Sequence, residues 1–214
     1  MTEPDPSTVF DSGIVAILRG VPTDDVCRVV RAILDGGVTS VEITANTDGF
    51  LDQLSAVAPV VADRGGVLGA GTVLDPETAV AALDAGASFV VTPTLNEAVV
   101  ETCNRYGVVS IPGVLTPTEA LSAVEAGADA CKIFPASSVG PAHVASVRGP
   151  LPQLPLVPTG GIGPENAATY FEAGAVALGV GSSITPDEAV RTGDLERITD
   201  NARTLVDVAT DYRA

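Results

Sequence analysis

Lysine is almost missing from this chain. One residue, Lys132, stands against ten arginines, and the 11 basic residues face 27 acidic ones for a net charge of −16. Such a balance repels nucleic acid and anionic membrane surfaces, so neither is expected as a partner. An acidic, lysine-poor surface also points to a halophilic source, a protein working in concentrated salt. Histidine is nearly absent too: the single His143, which follows Gly140-Pro141 and reads as a surface or helix-start residue, leaves no histidine-based metal centre and no Ser-His-Asp set. The three cysteines, Cys27, Cys103 and Cys131, are scattered and lack Cys-x-x-Cys spacing. Neither a disulfide framework nor a zinc site is indicated, and reduced core thiols are expected. Mean hydropathy is +0.35, yet no apolar run reaches the roughly 18 residues of a membrane-spanning helix. The acidic start, MTEPDPSTVF, lacks the basic segment and apolar stretch of a secretory signal, so a soluble, cytoplasmic protein is expected.

What is present is punctuation by glycine. Segments of helical character end at Gly37, Gly86, Gly107, Gly127 and Gly174, and each leads into a β-branched or apolar run. These junctions recur about every 20 residues, or about double that, which reads as a repeating βα unit. The strand candidates are Ile14–Leu18, Ser40–Thr44, Val67–Gly71, Phe89–Thr92, Val108–Ile111, Ala130–Phe134, Leu156–Thr159 and Ala177–Val180. Short, nearly continuous apolar runs of this kind suit parallel strands buried on both faces. Helix starts are expected at residues 22–24, 75–77, 116–119 and 163–165, where proline fits the first turn. Eight strands alternating with helices predict a single-domain α/β fold, a (β/α)8 TIM barrel; a doubly wound open sheet would give similar local signals. Within the domain, 1–12 reads as an N-terminal extension and 185–214 as a C-terminal helix.

Barrels place their chemistry at the C-terminal ends of the strands, where Glu42, Thr72, Lys132 and Thr159 stand out. Lys132 lies in the apolar run Ala-Cys-Lys-Ile-Phe-Pro. Arginine supplies charge elsewhere in the chain but cannot form an imine, so the one lysine reads as a nucleophile, its amine kept neutral by apolar surroundings. The competing reading is a buried ion pair with Glu42. Glu42 itself, pointing into a barrel, is either a proton shuttle or merely the partner of that lysine. Two glycine-rich turns, Pro158-Thr159-Gly160-Gly161-Ile162-Gly163 and Gly179-Val180-Gly181-Ser182-Ser183, offer backbone NH groups to a phosphate, though turn geometry alone also explains glycine there. Arg19, ending the first strand, fits a substrate carboxylate or phosphate, or an ion pair at the barrel mouth.

Together these residues resemble the 2-keto-3-deoxy-6-phosphogluconate (KDPG) / 4-hydroxy-2-oxoglutarate (KHG) aldolase family, from about Ile14 to Ile184. The most specific piece is Gly127-Ala-Asp-Ala-Cys-Lys132-Ile-Phe134-Pro135-Ala-Ser-Ser-Val-Gly140, which is similar to the family's Schiff-base segment. Val15-Ala-Ile-Leu-Arg19-Gly, Gly69-Ala-Gly-Thr72-Val, Val91-Thr-Pro93, Ile111-Pro-Gly-Val and Pro158-Thr159-Gly160-Gly161-Ile support it.

The resemblance implies a class I aldolase, with Lys132 as imine-former and Glu42 as general acid/base. It also implies Thr72 and Thr159 beside the pyruvate-derived portion, Pro93 and Phe134 lining the pocket, and Gly160, Gly161, Gly181 and Ser182 around a phosphate. It further implies a (β/α)8 barrel, commonly a homotrimer, with no metal or organic cofactor, acting on a phosphorylated keto sugar acid in catabolism of the Entner-Doudoroff type. Asn46 departs from the pattern. Gluconate-type enzymes typically carry there an arginine that contacts the substrate carboxylate, whereas galactonate-type relatives tend to carry asparagine, which would pass the carboxylate to Arg19. Pro-Thr-Gly-Gly with Thr159 is similar to the gluconate type, and 2-keto-3-deoxy-6-phosphogluconate is the favoured substrate. Galactonate-type or 4-hydroxy-2-oxoglutarate cleavage stays open beside it. More distant readings are a phosphate-binding barrel isomerase, which leaves Lys132 unexplained, and a non-catalytic sugar-phosphate sensor.

Overall fold

The structure is a computed structural model that describes residues 5–213. In chain order it holds α1 (Pro6–Val9), β1 (Ile14–Leu18), α2 (Thr23–Asp35), β2 (Ser40–Thr44), α3 (Phe50–Ala62), β3 (Val67–Gly71), α4 (Pro76–Asp84), β4 (Phe89–Val91), α5 (Glu97–Tyr106) and β5 (Val109–Ile111). Then follow β6 (Gly113–Val114), α6 (Pro117–Glu125), β7 (Cys131–Ile133), α7 (Gly140–Arg148), β8 (Leu156–Pro158), α8 (Ala167–Glu172), β9 (Leu178–Val180), α9 (Asp187–Thr192) and α10 (Leu195–Arg213). The predicted alternation of strand and helix is therefore present, with strand ends drawn in by a residue or two. All five predicted glycine junctions have positive φ: Gly37 (94°), Gly86 (108°), Gly107 (66°), Gly127 (95°) and Gly174 (93°). Helix starts at Thr23, Pro76 and Pro117 match expectation, and Thr116 with Glu119 forms a full capping box. The fourth does not. Residues 163–165 form a turn in which Asn166 Oδ1 accepts from the Gly163 NH at 3.0 Å, and α8 begins only at Ala167. The expected C-terminal helix is two helices, because Gly193 (φ 71°) ends α9 in the left-handed region before α10 begins.

All strands run parallel, in a six-stranded sheet of order β5-β4-β3-β2-β1-β9 and a three-stranded sheet of order β6-β7-β8. The fold is thus α/β. The sheets adjoin at two places. Pro112, which has no NH to donate, separates β5 from β6 in one extended stretch, and its carbonyl accepts from the Lys132 NH at 2.9 Å. On the other side Thr159 bridges Gly179 in parallel.

Two apolar layers hold these elements. The larger lies between strands and helices, and includes Val41, Ile43, Cys131, Ile133 and Leu178. The smaller gathers Val9, Phe10, Val15, Phe89, Val109, Ala130, Val157 and Ala177, mostly from the strand starts. Its lid is α1, fastened by the buried Ser40 hydroxyl, which donates to the Val9 carbonyl at 2.7 Å. Phe89, fully buried, lies against Gly69, so its ring fills the space a side chain at 69 would need. Truncating such a ring costs about 3–5 kcal/mol. With apolar side chains closing the strand starts, polar groups collect at the opposite ends.

Candidate active site

Alternation along the strands decides which side chains reach the interior. In β7, Cys131 and Ile133 pack outward among the helices, so Lys132 between them points inward. In β2, Val41 and Ile43 likewise pack outward and leave Glu42 inside. Both charged residues are almost fully enclosed, Lys132 at 3% exposure and Glu42 at 1%. Burial dominates their acid–base behaviour. It pulls the Lys132 amine below its usual 10.5, with the Arg19 charge acting in the same direction and Glu42 opposing. Burial pushes the Glu42 carboxyl above its usual 4.5, against the opposing pull of Lys132 and Arg19. Both shifts favour neutral forms: a free amine and a protonated carboxyl.

The two do not form the tight ion pair that a purely structural role would require. Among the described residues no Lys–Glu contact falls within 4.0 Å, and Glu42 Oε1 is buried without a hydrogen-bond partner. Gly71, the last residue of β3, lies directly against that oxygen; any larger residue there would overlap the carboxylate. The Lys132 ammonium position sits 5.1 Å from the centre of the Phe134 ring.

Lys132 opens onto a cavity of about 300 Å³. Of the residues predicted to form the site, Arg19, Phe134, Thr159, Gly160, Gly161, Gly181 and Ser182 line it as well. Gly160 (φ 100°) and Gly161 (φ 70°) take backbone conformations that side chains disfavour, and Gly161 packs on Ser137. The two glycine turns are tied together by the Ser183 hydroxyl, which donates to the Ile162 carbonyl at 2.8 Å. Thr159 is buried, its NH donating to the Ile133 carbonyl at 3.0 Å and its hydroxyl to the Val157 carbonyl at 3.2 Å. Among the described residues, the NH groups of Gly161, Ser182 and Ser183 have no acceptor. Such NH groups suit an oxyanion-rich group. Arg19 is exposed at the cavity wall and makes no ion pair among the described residues.

Glu42 is buried and is not itself in the cavity wall. Thr72, directly after Gly71, is half-buried with φ of 56°, the only non-glycine residue with positive φ among those described. A β-branched residue in that region carries backbone strain, a frequent mark of functional positions. Pro93 is half-buried, and its carbonyl lies against Gly113 in β6. Asn46 is exposed on the β2–α3 connection and does not line the cavity. Sequence reasoning missed Gly71, whose role depends on the position of Glu42 across two paired strands, and Asp187, which enters the cavity wall from the start of α9. Gly71 lies inside the Gly69-Ala-Gly-Thr72-Val segment but has no side chain to mark a role, and no motif marks Asp187.

The cysteines lie away from this chemistry. All three are free; burial raises the Cys103 thiol to about 12 and Cys131 to about 11, so neither is a ready nucleophile. Among the described residues no group of three acidic, histidine or cysteine side chains could hold a metal ion, and no helix is long and apolar enough to cross a membrane.

Comparison with known proteins identifies the family. A family model described as KDPG and KHG aldolase matches residues 7–201. The chain is 37% identical to the 2-dehydro-3-deoxy-6-phosphogalactonate aldolase of Escherichia coli, over 80% of this chain and 83% of that protein. It is 32% identical to the 2-dehydro-3-deoxy-phosphogluconate aldolase of Pseudoalteromonas atlantica, over 92% of each. Its structure superposes with a TM-score of 0.85, at 26% identity and over 94% of this chain and 98% of the other, on a Legionella pneumophila KDPG aldolase holding pyruvate captured as a covalent carbinolamine. The chain belongs to the KDPG and KHG aldolase family.

Proposed function

We propose that this protein is a class I aldolase, a carbon–carbon lyase that cleaves 2-keto-3-deoxy-6-phosphogluconate to pyruvate and glyceraldehyde 3-phosphate. One observation carries the reading above all. The only lysine of the chain is buried, its amine driven toward the neutral form, and it opens into a cavity that also presents unsatisfied backbone NH groups. The relative crystallised with a covalent pyruvate carbinolamine supports the same chemistry.

In this mechanism the neutral Lys132 amine attacks the C2 carbonyl. Glu42, whose carboxyl is shifted by burial toward the protonated form, helps the carbinolamine expel water to form the iminium ion. Loss of the C4 hydroxyl proton then breaks the C3–C4 bond, whose electrons pass into the iminium to give a neutral enamine as the aldehyde leaves. Protonation at C3 and addition of water to the resulting imine release pyruvate and restore the amine. Because Lys132 and Glu42 are not in direct contact, a water between them relays the protons. Phe134 and Pro93 shape the pocket, Thr72 and Thr159 flank the pyruvate portion, and Arg19 takes the carboxylate. Gly160, Gly161, Gly181 and Ser182 receive the phosphate. No metal or organic cofactor takes part.

The same reading carries further expectations: a single domain whose two sheets close as one (β/α)8 barrel, a homotrimer, a cytoplasmic location, and function in concentrated salt. A second substrate reading, the galactonate epimer, is favoured by Asn46, which is asparagine and exposed, and by the phosphogalactonate aldolase among the relatives. Intact-mass analysis after borohydride reduction with pyruvate tests the mechanism: an adduct on Lys132 is expected, and a folded protein without one refutes it. Parallel assays on the two epimers then decide the substrate.

A further inference from the structure

The cavity has two ends of different character. At one end Lys132 is influenced by Glu42 and Arg19. Glycine turns line the other, where the cavity wall also includes Asp187, the first residue of α9. Asp187 is the only carboxylate in that wall, is exposed, and makes no hydrogen bond or ion pair among the described residues. A carboxylate facing the group that the glycine turns are suited to bind is an odd choice on electrostatic grounds, since a phosphate dianion and a carboxylate repel.

The same helix carries a counterweight. Arg191 lies one turn after Asp187, on the same face. Both line an adjoining cavity of about 350 Å³, which also shares Arg19 and Thr185 with the first. Arg191 is exposed and unpaired among the described residues, and at a separation of four residues the two side chains can meet. Helix α9 thus presents one negative and one positive group at the tail end of the cavity.

We propose that Asp187 is a specificity-determining residue that weakens the hold of this site on a phosphorylated substrate tail, and that Arg191 offsets it. The proposal rests on the reading that the glycine turns receive a phosphate. Asp187 touches no part of the carbonyl chemistry at Lys132 and acts on selection between a phosphorylated and a hydroxyl-ended tail. A sugar acid with a free terminal hydroxyl feels no repulsion from Asp187 and can donate a hydrogen bond to it. The filter therefore narrows the preference for phosphate to less than the NH groups would otherwise give.

The test uses glycerol 3-phosphate, which carries the tail without the keto acid, with glycerol as its uncharged control. Binding is measured by calorimetry on the full chain as wild type, Asp187→Asn and Arg191→Gln. Asp187→Asn is expected to tighten glycerol 3-phosphate on the order of tenfold, as removal of one charge a few ångströms away implies, and to leave glycerol unchanged. Arg191→Gln, which frees Asp187 of its counterweight, is expected to weaken it severalfold. In turnover, Asp187→Asn should raise the ratio of kcat/KM for the phosphorylated over the unphosphorylated keto acid, through KM and not kcat.

Unchanged or weaker binding of glycerol 3-phosphate in Asp187→Asn overturns the proposal. A merely structural role, as an acidic residue in the first turn of α9, would shift the melting temperature and leave the selectivity ratio alone, and that result overturns it too. Pyruvate trapping on wild type runs alongside. Failure to trap pyruvate strikes the aldolase mechanism, while failure of the tail-binding contrast strikes only Asp187, so the two failures are separable.

Discussion

The β1–β3 sector and the β6–β8 sector are built differently. Each strand of the first is five residues long, and β2 pairs with β3 at all five positions from Ser40 with Val67 to Thr44 with Gly71. In the second sector the strands are two or three residues long, with two pairs between β6 and β7 and three between β7 and β8. The long sector encloses Glu42. The short sector carries Lys132, and its chain turns at once into the glycine-lined cavity wall. A buried carboxyl with an unsatisfied oxygen persists only where the scaffold over-determines its position; a nucleophile that must meet a ligand is better placed where paired structure gives way early to turns.

The sharpest way to break this contrast is at Lys132. Lys132→Ala should abolish both turnover and the borohydride-trapped pyruvate adduct, and Lys132→Arg should be equally inactive because a guanidinium forms no imine. Lys132→Ala should fold, since replacing a desolvated amine removes a burial cost, whereas the always charged guanidinium of Lys132→Arg should lower the melting temperature. Wild-type-like activity in Lys132→Ala would refute the assignment.

Across the site, Glu42→Gln tests the long sector. It should lower kcat by about 10²–10⁴-fold while a pyruvate adduct still forms, slowly, on Lys132. The pH profile separates the partners. Activity should fall on the acid side as the amine takes up a proton, at a pH below the ordinary lysine value of 10.5. Glu42→Gln removes the charge that opposes the downward shift of the amine, so it should move this acid limb to lower pH. The stability sign follows from the raised pKa of Glu42. The folded state keeps the Glu42 proton to higher pH than the unfolded chain, so the stabilisation belonging to Glu42 is complete below about 4.5 and fades as pH rises through the folded value. At neutral pH the variant should melt no lower than wild type.

How much of this was legible in the sequence also differs between the sectors. For β1, β2 and β3 the apolar runs end where the strands end, residue for residue. In the other strands the predicted run outlasts the pairing: Thr92, Val108, Ala130, Phe134 and Ala177 lie just outside the strands assigned to them. Apolar character there reflects burial beside the cavity or core and not membership of a ladder. Lys132 stood out by being alone in its kind, and the glycine turns by their spacing. Gly71 and Asp187 were invisible because their roles come from neighbours across the fold. The turn at 163–165 misled because proline after glycine suits a helix start, whereas Asn166 draws in the Gly163 NH and delays the helix by one turn.

A pair of glycines two residues apart on β3 sharpens the comparison. A methyl group at Gly69 would overlap the Phe89 ring, while one at Gly71 would overlap the Glu42 carboxylate. Both point to the interior, one into the apolar plug and one into the site. Gly69→Ala should cost stability, about 1–3 kcal/mol from overpacking, with kcat per folded molecule preserved. Gly71→Ala should displace Glu42, the proposed general acid, and cost roughly 10²-fold in kcat, as small misplacements of catalytic groups do, with the pyruvate adduct still detectable. Thermal melts and active-site titration of the two variants check the split; equal loss of kcat in both would mean that the sector responds as a whole.

The smallest effect is expected next door, at Thr72. Its φ of 56° is a conformation glycine adopts freely and threonine does not. Strain of this kind amounts to about 1–3 kcal/mol, offset in part by the greater backbone entropy that glycine gives the unfolded chain. Thr72→Gly should therefore stabilise the fold by on the order of 1 kcal/mol, a rise of about 2–4 °C in Tm for a chain of this size. If the threonine is kept at that cost because its hydroxyl meets the pyruvate portion, the same variant should show a raised KM. A higher Tm with unchanged kinetics would make Thr72 a strained turn residue and nothing more. A lower Tm would mean that its side chain stabilises the end of β3 by more than the strain takes away.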